Sequence, residues 1–349
     1  MKSADILILD DEPMIIDSIR DLVELETPYR IVTASSPVKA LNLLAQTRVQ
    51  VIITDFLMPE MNGIDFLVQA KSSIPDITAI LITGYADKSN AIRAINEVGI
   101  YYYIEKPWDN DALLMIVKNA MERGNLLAEI RRKYIQIRDA YVGTIFRLST
   151  ASELFDDDTF SHVLRIARLS RRLAELSGEN EEYCFSIQYA SMMHDVGKIG
   201  VPKEILNKKG KLTKEEFEAV KKHPEIGAYI LRKPENTLME MARDIALYHH
   251  EKMSGEGYPG GLKNGEIPKA AKIAAITDVF DALMSERPYK PAFAPEKVRA
   301  ILAEESGTHF DPELAELFLR HFDEFVKIYN DTAYIETSQL SGILFDSCE

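Results

Sequence analysis

Five of the seven histidines fall in one stretch of the chain, at His162, His194, His223, His249 and His250. "MMHDVGKIG" groups His194, Asp195 and Lys198, "KKHPEIG" carries His223, and His249 and His250 open "HHEKMSGEGYPGGL". Further on, "TDVFDAL" adds Asp278 and Asp281. Imidazole and carboxylate without thiolate form a donor set for Fe, Mn, Zn or Ni rather than for soft-metal sites. Neighbours on a helix point about 100° apart, so His249 and His250 are expected to serve two adjacent ions, and His194 with Asp195 likewise. A carboxylate can bridge two metals, and two metals about 4 Å apart clamp a phosphoryl group for hydrolysis by a water activated near neutral pH. Lys198 lies one turn past His194 and within reach of a phosphate if the helix continues; the alternative is that Gly197 ends it. Gly255, Gly257, Gly260 and Gly261 free the backbone after the histidine pair to approach something closely. An ordinary surface turn is the other reading of that loop. His309 and His321, alone in their surroundings, read as surface or satisfied residues.

A second set of reactive residues lies near the N-terminus. Asp10 and Asp11 follow "ILIL", Asp55 follows "VIIT", Thr83 follows "AILI", and Lys106 follows "YYYI" in "EKPW". These apolar runs, with a weaker "YRIVTA", alternate with helical patterns at Met14–Leu25, Pro37–Ala45 and Lys88–Val98. Continuous apolar strands separated by helices predict a doubly wound parallel sheet, here five-stranded and covered on both faces. Ligands of such a sheet gather beyond the carboxyl ends of the strands. Three carboxylates brought together there repel and need a cation, and hard oxygen donors suit Mg²⁺. A carboxylate so placed can attack phosphorus, with the metal and Lys106 stabilising the charge that moves and Thr83 following the new anion.

The elements that must hold the histidines are of another kind. Leu127, Ile130, Tyr134, Ile137, Tyr141, Ile145 and Leu148 recur at three- and four-residue steps, predicting one long amphipathic helix. It reads either as a connector and dimer seam or as a buried helix of the second domain. After about Ser152 the strand signal disappears, and helices are expected over 159–177, 181–196, 213–221, 237–250, 268–284, 295–304 and 312–327. Capping boxes are expected at Thr213 with Glu216 and at Thr237 with Glu240, and Pro268 and Pro312 open two helices. The second domain is therefore predicted to be all-α.

At 349 residues the chain has room for two or three domains with proper cores. Its formal charge of −14 argues against binding a nucleic-acid polymer, which needs a basic face. Two cysteines, Cys184 and Cys348, provide neither a disulfide framework nor a thiolate metal site. No signal peptide and no apolar run of roughly 20 residues is present, so a cytoplasmic location away from membranes is expected.

Residues 4–122 resemble a response-regulator receiver domain of the flavodoxin-like fold, with "DFLMPEMNG" after the third strand matching the family loop. The resemblance implies a sensor histidine kinase as phosphodonor and Asp55 as phospho-acceptor. It also implies Asp10, Asp11, Asp55 and the Leu57 carbonyl as Mg²⁺ ligands, Thr83 and Tyr103 as a switch pair, and Lys106 as the phosphate contact. Residues 150–325 resemble the HD-GYP branch of the HD phosphohydrolases, through "HDVGKIGVPKEILNKKGKLTKEEFEAVKKHPEIGAYIL", the Gly257–Tyr258–Pro259 triplet, "TDVFDALMSERPYKPA" and "GTHFDPEL". That resemblance implies cyclic-di-GMP hydrolysis, to pGpG or on to GMP, with two transition metals, Fe or Mn. The implied ligands are His162, His194, Asp195, His223, His249, His250 and Asp278, with Asp195 bridging. Lys198, Tyr258, Pro259 and Arg287 are the implied substrate contacts, and Asp158 is a candidate ligand for a third ion. A hybrid cyclic GMP–AMP substrate, or a binding module without turnover, is the alternative. The chain departs from the family at Lys252, Met253 and Ser254, where Arg-Trp-Asp is usual, and at Lys272, which replaces an Arg. The expected organisation is a receiver over 1–122, a helical linker and dimer seam over 123–150, the phosphodiesterase domain over 151–327, and a tail over 328–349, assembled as a homodimer.

Overall fold

A computed structural model describes residues 2–84, 98–153, 160–286 and 291–333. The chain divides into two compact units, Met1–Ile137 and Arg138–Glu349.

In the first unit five parallel strands lie in the order β2-β1-β3-β4-β5: β1 Ile6–Leu9, β2 Ile31–Ala34, β3 Val51–Asp55, β4 Thr78–Thr83 and β5 Tyr102–Glu105. Lys2–Ser3 and Thr47–Arg48 form a separate two-residue parallel pair. Side chains alternate across a strand, and here both faces are apolar. Leu7, Leu9, Ile52 and Leu81 pack with Ala40 and Leu44 of α2 (Pro37–Leu44) and Ile64 and Leu67 of α3 (Gly63–Ser73). Ile6, Ile8, Ile53 and Ile80 face Ile16, Ile19 and Val23 of α1 (Pro13–Glu26) and Leu113 and Val117 of α4 (Asn110–Glu153). This is the doubly wound sheet expected, and the β1/β3 reversal of strand order is where such sheets bind ligands. The helix expected over Lys88–Val98 lies almost wholly outside the described residues.

The helix expected from about Leu126 is longer than its amphipathic stretch, because α4 already covers the sheet from Asn110 and runs unbroken to Glu153. Its middle exposes Leu126 by 55%, Ile130 by 64%, Tyr134 by 68% and Ile137 by 70%, whereas Val142 and Ile145 are buried in the core of the second unit. The buried-helix reading thus describes the Val142–Ile145 segment of α4.

The second unit is helical, and its described residues contain no strand beyond one isolated bridge, Ser306 with Phe310. Helices α5 (Phe160–Leu176), α6 (Glu181–Ala190), α10 (Thr237–Tyr248) and α11 (Lys269–Met284) contribute Leu169, Leu173, Ile187, Ile245, Ile273 and Phe280 to one core. Phe318 of α13 (Pro312–Arg320) stacks on Phe325 of α14 (Phe322–Ala333) with ring centroids 3.8 Å apart, closing that core. Helices α7 (Lys203–Leu206), α8 (Lys214–Val220), α9 (His223–Ile230) and α12 (Pro295–Glu304) complete the unit.

Several expected boundaries are corrected. The helix expected over 181–196 ends at Ala190 and gives way to 3₁₀ turns at Ser191–Met193 and Val196–Gly200. The one expected over 312–327 is broken between Arg320 and Phe322. Asn236, not Thr237, caps α10, its side chain accepting from Met239 N, because an Asn one residue earlier reaches the first turn. Pro268 sits at the cap of α11 rather than inside it. The Thr213–Glu216 capping box forms as expected. Among the described residues, no helix is long and apolar enough to cross a membrane.

Candidate functional site

Four local features bring the histidines of the second unit together. His162 lies in the first turn of α5, and Asp278 and Asp281 lie three residues apart on α11. His194 and Asp195 occupy the break between the two 3₁₀ turns. A Cβ on Gly197 would lie 1.9 Å from the His223 carbonyl oxygen and 2.5 Å from Gly227 N, so only glycine lets the second turn lie against α9. That contact places Asp195 beside His223, the first residue of α9. His249 caps the C-terminus of α10, donating its backbone N–H to Ile245 O.

Each ring of this set is oriented from behind. Nδ1 of His194 is 2.9 Å from Ser191 O, Nδ1 of His223 is 2.7 Å from Val220 O, and Nδ1 of His249 is 2.9 Å from Ile245 O. Nδ1 of His162 is 2.7 Å from Oδ2 of the buried Asp281. All four partners are acceptors, so Nδ1 carries the proton and the inward Nε2 carries a lone pair. Yet Nε2 of His162 is 3.4 Å from Nε2 of His194, and Nε2 of His223 is 3.5 Å from Nε2 of His249. Opposed lone pairs at these distances repel unless a cation lies between them.

Asp195 joins the two pairs. Its Oδ2 is 3.2 Å from His194 Nε2 and 2.8 Å from Lys198 Nζ, while its Oδ1 is 3.1 Å from His223 Nε2 and 3.6 Å from His249 Nε2. That Oδ1 is buried without a hydrogen bond. A buried carboxylate oxygen facing only lone pairs is costly, and a divalent ion there would satisfy it. The donor atoms form two clusters, Asp195–His223–His249–His250 and His162–His194–Asp278, each with all its ligand atoms within 4.8 Å of one another. The donor set therefore fits a pair of metal ions. Burial opposes ionisation of Asp195, but the Lys198 charge beside its Oδ2 outweighs it and holds the carboxyl well below its usual range. Burial pushes His249 down and His250 further, keeping both neutral and able to ligate. His162 is pushed down by burial, but Asp281 reverses this and raises it, an attraction for a proton that extends to any cation at Nε2.

The loop after the pair is built against this floor. Tyr258 stacks on His250 with centroids 4.7 Å apart and donates its backbone N–H to His250 O at 3.2 Å. Burial raises the Tyr258 hydroxyl above its ordinary value, so it stays neutral. Gly257 permits the approach, since a Cβ there would lie 2.4 Å from Lys252 N.

In the first unit, Lys106 Nζ is 2.8 Å from Asp55 Oδ1 and 3.3 Å from Asp10 Oδ2. Ligand atoms of Asp10, Asp11 and Asp55 lie within 4.8 Å of one another. Asp10 is raised by burial, and Lys106 is raised because Asp55 and Asp10 outweigh the opposing effect of burial. Thr83 ends β4 buried, Tyr103 packs half-buried on β5, and Leu57 lies exposed in the loop after β3.

A model of the response regulator receiver domain matches residues 6–118, and a model of the HD domain matches residues 148–314. A cyclic di-GMP phosphodiesterase of Thermotoga maritima is 32% identical over 97% of this chain and 95% of its own length. The cyclic di-GMP phosphodiesterase response regulator RpfG of Xanthomonas campestris pv. campestris is 32% identical over 90% of this chain and 87% of its own. The chain belongs to this family of response regulators that join a receiver domain to an HD domain. The 3'3'-cGAMP-specific phosphodiesterase 2 of Vibrio cholerae is 42% identical over 56% of this chain, a match that takes in 37% of that protein.

Of the residues singled out in the sequence, the HD domain thus draws together His162, His194, Asp195, Lys198, His223, His249, His250, Tyr258 and Asp278, with Pro259 next to Tyr258 in the chain. Asp158 and Arg287 lie outside the described residues. The helical expectation for the histidine pair is corrected: His249 and His250 both offer ligand atoms to the cluster with Asp195 and His223, their ring centroids 4.0 Å apart. Lys198 is not a helical turn beyond His194 but sits on a 3₁₀ turn, paired to Asp195. The departures from the family have partners. Met253 N and Ser254 N donate to His309 O and Thr308 O, and Lys272 pairs with Asp311 at 3.0 Å.

Two contributors had no assigned role in the sequence. Glu251 is buried and accepts from Gly260 N at 2.6 Å and Leu262 N at 2.9 Å, tying the loop that carries Tyr258. Its place directly after the two histidines was the available signal. Arg165, three residues after His162, pairs with Asp281 from behind the site and left no readable trace.

Proposed function

We propose that the chain is a two-component response regulator whose HD domain, of HD-GYP type, is a metal-dependent phosphodiesterase hydrolysing cyclic-di-GMP to pGpG or GMP. The observation that carries this reading is the pair of histidine clusters joined through the two oxygens of Asp195. His162, His194 and Asp278 would hold one ion and His223, His249 and His250 the other, with Asp195 shared and Fe or Mn suited to the donors. When bound, such a pair supplies an activated water near neutral pH and neutralises charge on the phosphoryl group. A third ion would require Asp158. Lys198, 2.8 Å from Asp195, supplies a positive charge within reach of a phosphate bound at the clusters. Neutral Tyr258 offers a ring face to a guanine and a hydroxyl donor, on a loop kept in place by Glu251. We propose Pro259 and Arg287, with Tyr258, as substrate contacts.

In the receiver domain we propose Asp55 as the phospho-acceptor for a sensor histidine kinase, with Mg²⁺ held by Asp10, Asp11, Asp55 and the Leu57 carbonyl. Lys106 already pairs with Asp55 and would stabilise the added phosphoryl charge. Thr83 and Tyr103 form the proposed switch, and α4 the connection to the HD domain. The exposed stripe from Leu126 to Ile137 is the face on which a second copy would pair. A cytoplasmic setting suits the free Cys184. The proposed organisation is receiver 1–122, linker 123–150, HD-GYP domain 151–327 carried on to Ala333 by α14, and a tail beyond it.

A second reading keeps the chemistry and changes the substrate to 3'3'-cGAMP. The similarity to a Vibrio cholerae enzyme named for that substrate, together with altered residues Lys252, Met253 and Ser254, favours testing it. Anaerobically purified, Fe- or Mn-supplemented protein is incubated with each dinucleotide and the products are separated by chromatography. Linear product from cyclic-di-GMP, lost in the His194→Ala/Asp195→Ala double variant, is expected. Full turnover in that variant would exclude the mechanism, and turnover of cGAMP alone would select the second reading.

A further inference from the structure

The two clusters differ in what stands behind them. Three histidines rest their Nδ1 on neutral backbone carbonyls, but His162 rests its Nδ1 on the Asp281 carboxylate at 2.7 Å. Asp281 is itself held firmly. Arg165 donates to it through Nη2 at 2.9 Å and through Nε, and Ser285 Oγ lies 3.4 Å away. Arg165 also donates to Ser285 Oγ at 3.1 Å and lies over the Tyr329 ring at 4.8 Å. Tyr329, on α14, closes the network with its hydroxyl 3.0 Å from both Ser285 Oγ and Met284 O. Asp281 is 1% exposed and Arg165 5%, so these charged hydrogen bonds act with little screening by water.

A carboxylate behind an imidazole fixes its tautomer and makes the opposite nitrogen a better donor than a carbonyl does. We infer that Asp281, braced by Arg165 and by Tyr329 of the C-terminal helix α14, is a positioning residue that secures cation binding specifically at the His162–His194–Asp278 cluster. Metal retention at one cluster is thereby tied to the seating of α14. In the other cluster the Nδ1 partners of His223 and His249 are backbone carbonyls, so it is independent of that helix. This inference rests on the metal-dependent reading above and adds that the two sites fail separately.

The test is metal stoichiometry of the full chain loaded with Mn²⁺, together with the visible absorption of the Co²⁺-loaded protein. The wild type should hold about two equivalents. Asp281→Asn, which keeps the shape and removes the charge, should hold about one after dialysis, with roughly half of the Co²⁺ absorption lost. Asp281→Glu should recover part of the second equivalent. Arg165→Lys and Tyr329→Phe, which keep the core filled, should release one equivalent to a chelator about 10- to 100-fold faster and leave the other unchanged. If Asp281→Asn does not fold, these two variants decide the matter. Two equivalents retained in Asp281→Asn, or unchanged release in both milder variants, would overturn the inference while leaving the metal reading intact. A wild type that binds no metal would instead overturn the reading beneath it.

Discussion

Gly197→Ala is a one-carbon change whose effect can be worked out from the structure. The new Cβ would start 1.9 Å from the His223 carbonyl oxygen, and relief to even 3.0 Å requires the two backbones to part by about 1.1 Å (3.0 − 1.9). Both obstructing atoms, His223 O and Gly227 N, are backbone, so no side chain can swing aside. Overpacking of this kind costs about 1–3 kcal/mol, and the upper end is expected here. For a unit of this size, about 3 kcal/mol lowers Tm by roughly 6–12 °C. His223 and Asp195 would also separate by about twice the ~0.5 Å that a preorganised site tolerates, and a misplacement of about 1 Å is worth on the order of 100-fold in turnover. Calorimetry of the metal-loaded chain reads the first effect, and elemental analysis with a turnover assay reads the second. Gly265→Ala is the control, since a Cβ there meets nothing within 4 Å. If the two variants melt within about 2 °C of each other and both retain full metal, the steric reasoning is wrong.

Further outcomes follow from other contacts. Glu251→Ala leaves two loop N–H groups without their acceptor, at about 1–3 kcal/mol each if they stay buried; KM for the dinucleotide should rise about tenfold or more with metal content unchanged, and an unchanged KM would contradict the loop's role. Asp55→Asn, or chelation of Mg²⁺, should abolish phosphoryl incorporation from acetyl phosphate, measured by intact mass; incorporation persisting in Asp55→Asn would place the acceptor elsewhere. Burial, reinforced by the Lys252 charge, pushes His309 down to about 4 from 6.5, so between those values the unfolded chain binds the extra proton. Stability from this group is complete above pH 6.5 and is lost as pH falls toward 4, by on the order of 3 kcal/mol. His309→Gln should flatten the stability profile of the chain in that window, and parallel profiles would refute the assignment.

The sheet was legible because its strands are continuous apolar runs ending in Asp10, Asp55, Thr83 and Lys106, and a parallel sheet leaves few alternative arrangements. The grouping of histidines and acids into two clusters was legible because imidazoles and acids recur within short motifs. What could not be read was the local backbone. The 3₁₀ turns around His194 lie against α9 through Gly197, a tertiary contact. The grouping of His249 and His250 beside His223, which the helical rule misplaced, is likewise tertiary. The Arg165–Asp281 pair was hidden because 116 residues separate its members and an arginine on an amphipathic helix ordinarily faces water. His309 read as a surface or satisfied residue, and its carbonyl holds the segment that departs from the family, a backbone role that no side-chain pattern announces.

The central claim is that two cations sit between opposed imidazoles on either side of Asp195. Anomalous diffraction at the Fe and Mn edges, from crystals of anaerobically purified full-length protein, tests it directly. Two peaks about 3.5–4 Å apart are expected, one beside His162, His194 and Asp278 and the other beside His223, His249 and His250. Crystals of active protein with no anomalous peak among these side chains would contradict it.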